Sequence, residues 1–425
     1  MGQIKDKATK ALAAAHALGD ECNRIFVELN EARILSDAAV LDAARASNHT
    51  LPLYGMTVSL KDLFDEAGKR TTAGSKVLAN VSPARSDCEV VAKLKAAGAL
   101  VFGRTNMTEF AYSGVGANPH HGTPGCIFDP LKLPGGSSSG AALSAAHGLC
   151  DIAMGTDTGG SVRLPAAING LYGFKPSSQT VSLNGVHPLS PSYDSVGPLA
   201  NSLAKVEVCM NVIRDTPLDT PEIDRPLKLA IPEDTFTDDL DTEVGLAFHE
   251  AVHALNEAGH EIHLVSFQGL AERFDALRLT VSAEASAYYQ DYLDQLETQG
   301  DPNVLARLHQ SDGLTQSDLD QYQVQRQEAI ELFNKALSGF DAVLAPTARC
   351  NRPYLSDAEK DFGSTNAALL RNTSYINLVD GCGMSMPVRS DSGPPSALMV
   401  SGANNSDAMV MAVCKSIDAI LNKSA

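Results

Sequence analysis

Tryptophan is absent from this sequence of 425 residues, and long apolar runs are absent as well. No stretch reaches the roughly 18 consecutive apolar residues that mark a membrane-spanning helix. The N-terminus also lacks the apolar core and small-residue cleavage site of a secretory signal. We therefore expect a cytoplasmic protein with no membrane partner.

Basic residues are scarce for a protein that would bind nucleic acid through its phosphates. Lys and Arg number 33 against 51 Asp and Glu, which gives a formal net charge of −18. The eight cysteines form no C-x-x-C pair, a pattern typical of reduced, buried thiols and unlike a zinc site or a disulfide framework. The composition therefore argues against nucleic acid as a partner.

What is present is a globular composition, with 44% hydrophobic and 20% charged residues. Helical and strand-like segments alternate without a break in composition, which predicts a single large α/β domain over residues 1–425. We expect helices over about residues 3–47 and a mostly helical insertion over about 270–337. Short apolar runs predict buried strands at VSLK, which ends near Lys61, and at ALVFGRT and FDAVLAPTA.

Three polar segments are not explained by packing alone. Lys61 follows an apolar strand, and its spacing alone favours a strand-end lysine that reaches solvent over a buried one. PGGSSSGAAL, residues 134–143, opens an alanine-rich helix and fits either helix capping or an anion cradle. It lacks both glycine-rich nucleotide-binding patterns.

The third segment is GTDTGGSVRLP, residues 155–165, in which two glycines precede Ser161. A tight curve here would direct several backbone N–H groups towards one point, where they could stabilise an oxyanion in acyl transfer. A plain turn is the alternative, but it would need only one glycine. No histidine lies near Ser161 in the sequence, so a serine–histidine pair cannot be assumed.

Taken together, GGSSSG and GTDTGGSVRLPAA strongly resemble the amidase signature family, whose members use a Ser–cisSer–Lys triad. GMTVSLKDLFD, GRTNMTEFAYSG, GLYGFKPS, SYDSVGPLA and FDAVLAPT resemble further family segments, so the resemblance covers most of the chain. It implies the amidase signature fold, a large mixed β-sheet covered by helices on both faces. It also implies an amidohydrolase that converts linear amides to an acid plus ammonia or an amine.

The resemblance assigns roles to individual residues of the three segments. Ser161 would be the nucleophile, Ser137 the bridging serine after a cis peptide bond, and Lys61 the base. The implied reaction needs no metal and no organic cofactor.

The loop around the nucleophile also receives implied roles. Asp157 and Arg163 would brace it. The oxyanion hole would consist of backbone N–H groups of Thr158, Gly159, Gly160 and Ser161.

The substrate is less defined than the reaction. DPNVLARLHQSDG resembles a family segment in which an arginine faces the substrate's carboxylate, and Arg307 aligns with that arginine. The spacing to the next glycine departs from the family pattern, and a surface arginine is the alternative. Tyr112 and Arg371 are further predictions for the pocket wall, whereas His120 and His121 are interpreted as loop residues.

The sequence leaves three functions to distinguish. A stand-alone amidase acting on a small-molecule amide is the leading hypothesis. The A subunit of a tRNA-dependent amidotransferase is the alternative, although the chain is short for it. A non-catalytic assembly or binding subunit is the third, and the retention of Lys61, Ser137 and Ser161 argues against it. A homodimer is left open.

Overall fold

The computed structural model describes residues 2–45, 49–389 and 393–422. Within these ranges the strands form one sheet of eleven members. In chain order they are β1 (Phe26–Glu28), β2 (Thr57–Lys61), β3 (Leu100–Thr105), β4 (Ile152–Thr156), β5 (Tyr172–Lys175), β6 (Val196–Ala200), β7 (Lys228–Pro232), β8 (Glu261–Val265), β9 (Ala342–Pro346), β10 (Cys382–Val388) and β11 (Ser396–Gly402).

The sheet is mixed, with the spatial order β1-β3-β2-β4-β6-β5-β10-β11-β9-β7-β8. β2 runs parallel to β3 and β4, and β7 runs parallel to β8 and β9. The strands between these two groups pair antiparallel. The parallel groups follow the helix–strand alternation of the sequence, because a parallel strand needs a crossover connection.

Helices connect the strands and pack on the sheet. They span Gln3–Ala17, Asp20–Ile25, Glu31–Ala43, Glu89–Ala96, Ser139–Ala146, Arg163–Ile168, Leu203–Ile213, Thr242–Glu257, Phe274–Tyr289, Leu293–Gln299, Pro302–Leu308, Gln316–Ala336, Leu355–Lys360, Phe362–Leu378 and Asp407–Leu421.

Both faces of the sheet are apolar and buried. In β3, Leu100 and Phe102 belong to one buried cluster, whereas Val101 between them belongs to another. Successive side chains of a strand point to opposite faces, so each cluster is the layer between the sheet and its helices. The predicted fold class, a large mixed sheet covered by helices on both faces, is confirmed.

The segment predicted to be helical from about 3 to 47 needs one correction. Its described part contains the short strand β1, which pairs antiparallel with β3 at the edge of the sheet. Phe26 lies opposite Thr105 there, so tertiary pairing overrides the helical spacing of the surrounding sequence. Residues 46 and 47 lie outside the described residues.

The other expectations about helices and strands fit the structure. The predicted strands correspond to β2, β3 and β9, and the described residues of 270–337 are mostly helical. None of the described helices combines the length and the apolarity that crossing a bilayer requires.

Candidate active site

Lys61 is the last residue of β2, and the interior of the protein encloses it completely. β2 is an interior strand between β3 and β4, and every one of its residues is buried. Lys61 has no exposed surface, and its Nζ lies 2.7 Å from Ser137 Oγ and 3.0 Å from Thr156 Oγ1. The alternative of a strand-end lysine that reaches solvent is therefore wrong.

Ser137 lies in the loop that precedes the helix Ser139–Ala146. The peptide bond between Gly136 and Ser137 is cis, and Ser137 is fully buried. Its carbonyl oxygen accepts a hydrogen bond from the N–H of Thr108 at 3.1 Å, which ties this loop to the segment after β3. The helix begins just after it, so the glycine–serine segment combines a helix start with a contact to Lys61.

Ser161 lies between β4 and the helix Arg163–Ile168, at the wall of a cavity of about 530 Å³. Its hydroxyl makes no hydrogen bond to any described residue, including Ser137. Of the three residues of the implied triad, Lys61 and Ser137 are therefore in direct contact, and the Ser161 hydroxyl faces the cavity. Catalytic hydrogen bonds are often long before substrate binds.

A buried ion pair holds the loop that carries Ser161. Arg163 donates through Nε and Nη2 to the two carboxylate oxygens of Asp157, at 3.0 and 2.9 Å, and neither side chain is exposed. Asn377 donates to the same carboxylate at 3.0 Å. Burial alone would raise the pKa of Asp157, but the contact with Arg163 holds it well below its usual value.

Four consecutive backbone N–H groups between Asp157 and Val162 have no hydrogen-bond partner in the part of the chain that the structure describes. Among the described residues, nothing accepts from the N–H groups of residues 158 to 161, whereas those of Val162 and Arg163 donate to Asp157. Gly160 has φ +136°, and a Cβ there would overlap the Thr373 hydroxyl. Glycine is therefore required at this position, and the free donors lie beside the Ser161 hydroxyl.

The electrostatics around Lys61 favour its neutral form. Burial lowers the pKa of Lys61 from 10.5 to about 7, although the nearby carboxylates of Asp194 and Asp157 act in the opposite direction. Burial also raises the pKa of Asp194 to about 6. A substantial fraction of Lys61 is thus free to accept a proton near neutral pH.

The predicted pocket residues line the same cavity as Ser161. Tyr112, Arg307 and Arg371 all contribute to its wall. The Arg307 guanidinium lies 4.4 Å from the centre of the Tyr112 ring, a cation–π contact. The alternative of Arg307 as a surface residue is wrong, because its side chain forms part of the cavity wall.

Two residues near Lys61 were missed by the sequence analysis. Thr156 contacts Lys61 Nζ, and Asp194 accepts a hydrogen bond from the Thr158 hydroxyl. Both lie within segments that carry the family resemblance, GTDTGGS and SYDSVGPLA. Thr156 ends β4 and Asp194 lies in the loop before β6, and neither residue gives a signal of its own in the sequence, so only their contacts reveal them.

His120 and His121 are absent from the cavity wall. His120 instead pairs with the buried Glu109 at 2.7 Å, in keeping with their interpretation as loop residues. Within the described ranges, no group of three His, Cys, Asp or Glu side chains has the arrangement needed to hold a metal ion.

Comparison with known proteins assigns the chain to a family. A family model described as Amidase matches residues 8–411. The chain belongs to the amidase signature family. It is therefore an amidohydrolase that acts on C–N bonds, as the resemblance implied.

Curated relatives in this family differ in substrate. The 2-amino-5-chloromuconic acid deaminase of Comamonas testosteroni is 29% identical over 405 residues, which cover 92% of this chain and 87% of the deaminase. The urea amidolyase of Lachancea kluyveri is 31% identical over 84% of this chain, which spans only 20% of that longer protein. The A subunit of the glutamyl-tRNA(Gln) amidotransferase of Thermus thermophilus is 36% identical over 63% of this chain and 58% of its own length.

Solved structures show the same fold. An amidase crystal structure superposes with a TM-score of 0.91 at 30% identity, covering 99% of this chain and 96% of that one. The allophanate hydrolase of Kluyveromyces lactis superposes with a TM-score of 0.86 at 27% identity, covering 93% and 67% of the two chains.

Proposed function

We propose that this amidase hydrolyses a small carboxylic amide through an acyl-enzyme formed on Ser161. One observation carries the proposal: the contact of 2.7 Å between the buried Lys61 amine and the Ser137 hydroxyl, next to the loop that bears Ser161. A serine hydroxyl is a weak nucleophile until a base removes its proton. In this protein, the base is an amine that burial keeps partly neutral.

The reaction begins when Ser161 attacks the amide carbonyl carbon. Its proton passes to Ser137 as the proton of Ser137 passes to Lys61. The carbonyl oxygen becomes an oxyanion, which the unpartnered N–H groups of residues 158 to 161 stabilise. Collapse breaks the C–N bond, and the departing nitrogen takes the proton back through the same relay. Water then hydrolyses the ester, releases the acid and restores the Ser161 hydroxyl.

We infer that Asp157 and Arg163 act as positioning residues in this reaction. The carboxylate of Asp157 holds the N–H groups of Val162 and Arg163, immediately after the nucleophile. Arg163 also donates to the Thr373 carbonyl at 3.0 Å. This arrangement fixes the direction of the free N–H groups without touching the substrate.

The substrate we propose bears a carboxylate that Arg307 binds, with Tyr112 as the ring on which the guanidinium rests. The Arg307 guanidinium makes no hydrogen bond to any described residue, so its donors are available to a ligand. The Comamonas relative is a deaminase of 2-amino-5-chloromuconic acid, which is in keeping with an acid-bearing substrate.

The test is a screen of small amides with detection of released ammonia, using the Ser161→Ala variant as the blank. Ser161→Ala and Lys61→Ala should each lower kcat by about a thousandfold or more, and the double variant should lose little further. Ser138→Ala is the matched control, because Ser138 adjoins Ser137 but does not contact Lys61. Near-normal turnover by either single variant would refute the mechanism.

The role of Arg307 has a separate test. Arg307→Ala should lower kcat/KM for amides that carry a carboxylate and leave neutral amides nearly unchanged. An equal loss on both classes would assign Arg307 a structural role instead.

A glutaminase that passes ammonia to a partner is the second candidate, favoured by the 36% identity to the A subunit of the Thermus thermophilus amidotransferase. Co-purification with two further subunits and a requirement for them in glutamine hydrolysis would support it. Amide hydrolysis by the isolated chain would support the stand-alone enzyme. Failure of a fluorophosphonate to label Ser161 would favour a non-catalytic subunit.

We also propose that residues 1–425 form one catalytic domain, with the helical segment of about 270–337 as an insertion that completes the cavity. The single sheet and the contribution of Arg278 and Arg307 to the cavity wall support this organisation. A homodimer stays a prediction, which sedimentation velocity of the purified chain would test.

A further inference from the structure

The cavity at Ser161 has a charge opposite to that of the protein as a whole. The chain carries 33 basic and 51 acidic residues. Nevertheless, the charged residues among the described members of the cavity wall are all arginines: Arg278, Arg307, Arg349 and Arg371. The described wall of a neighbouring cavity of about 780 Å³ is mainly acidic, with four acidic residues and the single arginine Arg326. Of these two cavities, the one that contains Ser161 is therefore the one with a positively charged wall.

The first two arginines form a pair on the helical segment. Arg278 lies on the helix Phe274–Tyr289 and Arg307 on the helix Pro302–Leu308. Arg278 is bound to Asp275 at 2.9 Å, whereas Arg307 has no ion-pair partner among the described residues and its Nε is buried without a hydrogen bond. Burial, with the charge of Arg278, lowers the pKa of Arg307. The carboxylate of Asp275 is thus the only direct ion-pair partner of these two guanidinium groups among the described residues, so one positive charge has no counter-charge in contact.

The second pair comes from a different part of the fold. Arg349 follows β9, and Arg371 lies on the helix Phe362–Leu378. Arg349 pairs with the exposed Asp239, while its Nε is buried without a hydrogen-bond partner among the described residues. Burial, with the charge of Arg349, lowers the pKa of Arg371.

Among the described residues, Arg371 donates only to neutral oxygens, the Asn372 side chain at 3.0 Å and the Phe236 carbonyl at 3.3 Å. The carboxylate of Asp238 lies close enough to act on the pKa of Arg371 in the raising direction. That carboxylate accepts a hydrogen bond from the Thr235 N–H, however, and forms no ion pair with a described residue. The second pair therefore also lacks a direct partner for one of its guanidinium groups.

Both pairs are close to the nucleophile loop. Arg371 precedes Ser374 by one helical turn, and the Ser374 hydroxyl donates to the Gly159 carbonyl at 2.9 Å. Arg307 rests on Tyr112, whose segment is tied to Ser137 through Thr108. A molecule that reacts at Ser161 can thus extend towards either pair.

We propose that the substrate carries two anionic groups, one bound by Arg307 and Arg278 and the other by Arg349 and Arg371. Carboxylates match the planar guanidinium, which offers two parallel N–H donors. This inference names the substrate class of the site. It rests on the proposed function, because that function makes the cavity the substrate site.

The experiment measures binding to the Ser161→Ala protein by calorimetry, so that no hydrolysis is needed. The probes are the dicarboxylates glutarate, adipate and pimelate, each compared with the monoacid of equal chain length: valerate, hexanoate and heptanoate. At least one dicarboxylate should bind about tenfold more tightly than its monoacid, and added salt should reduce the difference. Arg371→Met and Arg307→Met should each abolish the difference.

Arg326→Met is the matched control, because Arg326 also stacks on a tyrosine, Tyr193 at 4.0 Å, but lines the neighbouring cavity. It should keep the preference for the dicarboxylate. Thermal unfolding checks that each variant folds, and Arg349→Met makes the same test if Arg371→Met does not fold.

Equal affinity for every dicarboxylate and its monoacid would overturn the inference, as would a preference that survives Arg371→Met. The proposed function fails in a different way. An inactive wild-type protein that still prefers dicarboxylates would refute the hydrolysis and keep the binding site. An active wild-type protein that lacks the preference for dicarboxylates would refute only the proposal that the substrate carries two anionic groups.

Discussion

Replacing Lys61 with methionine should abolish activity and, at neutral pH, stabilise the fold. Methionine has a similar length and no charge, so it fills the space without requiring solvation. The folded protein holds the Lys61 amine at a pKa of about 7, against 10.5 for an unperturbed lysine. Folding therefore disfavours the protonated amine, and the energetic cost is greatest at low pH and disappears as the pH rises towards 10.5.

The magnitude follows from this difference in pKa. Since each unit is worth about 1.4 kcal/mol, linkage gives a cost of about 4 kcal/mol at pH 7 and about 2 kcal/mol at pH 9. The methionine variant also loses the two contacts with Ser137 and Thr156, worth about 1 kcal/mol each. We expect the variant to be more stable than the wild type by about 2 kcal/mol at pH 7 and nearly equal to it at pH 9.

The assay is urea unfolding of both proteins at pH 7, 8 and 9, a range above the pKa of about 6 that the neighbouring Asp194 has in the wild type. Taking the difference between the two proteins removes the titrations that they share. Lys10→Met, at an exposed lysine of the first helix, controls for the loss of a lysine. A difference in unfolding free energy that stays constant from pH 7 to 9 would refute the lowered pKa of Lys61 and, with it, the neutral base.

Two further predictions concern rate and loop geometry. Because only neutral Lys61 accepts a proton, kcat/KM should rise about tenfold per pH unit below about 7 and level off above it. Asp194→Asn removes a charge that favours the ammonium, so it should move this inflection to lower pH, and an unmoved inflection would assign it to another group. Gly160→Ala should lower kcat and destabilise the fold by about 1–3 kcal/mol, because its Cβ would overlap Thr373. Gly159→Ala is the milder comparison, since its Cβ would meet only Ser374 Oγ at 3.1 Å, and equal effects of the two substitutions on unfolding would contradict the steric argument.

The helix–strand units were predictable from the sequence because their apolar spacing is local. β2 and β3 follow runs with few breaks, and both are buried throughout. β6 and β10 were not predicted, since each contains a proline, in VGPLA and CGMSMPV, that obscures the strand pattern. Their pairing is antiparallel and joins residues far apart in the chain, so local spacing does not reveal it.

The residues of the site were also only partly predictable from the local sequence. The glycines around Ser161 are a local signal, because a tight curve of N–H groups needs them. Lys61 gives no such signal, and spacing alone favoured the wrong alternative of a solvent-exposed side chain. Lys61 lies beside Ser137 because β2 pairs with β3 and β4. This pairing is part of the tertiary structure, and only the family resemblance suggested the contact from the sequence. The four cavity arginines come from three helices and the loop after β9, and their convergence on one cavity could not be predicted from their positions in the sequence.

The most direct test of the central claim is to map the site of labelling by a fluorophosphonate with peptide mass spectrometry. The account predicts a single adduct on the peptide that contains Ser161, formed by the wild type and by a Lys175→Met control. Lys175 is the appropriate control because it is also buried, yet within the described ranges its amine donates only to backbone carbonyls. Lys61→Ala should lose the label. An adduct on another serine, or labelling of Ser161 that proceeds at the wild-type rate without Lys61, would contradict the mechanism.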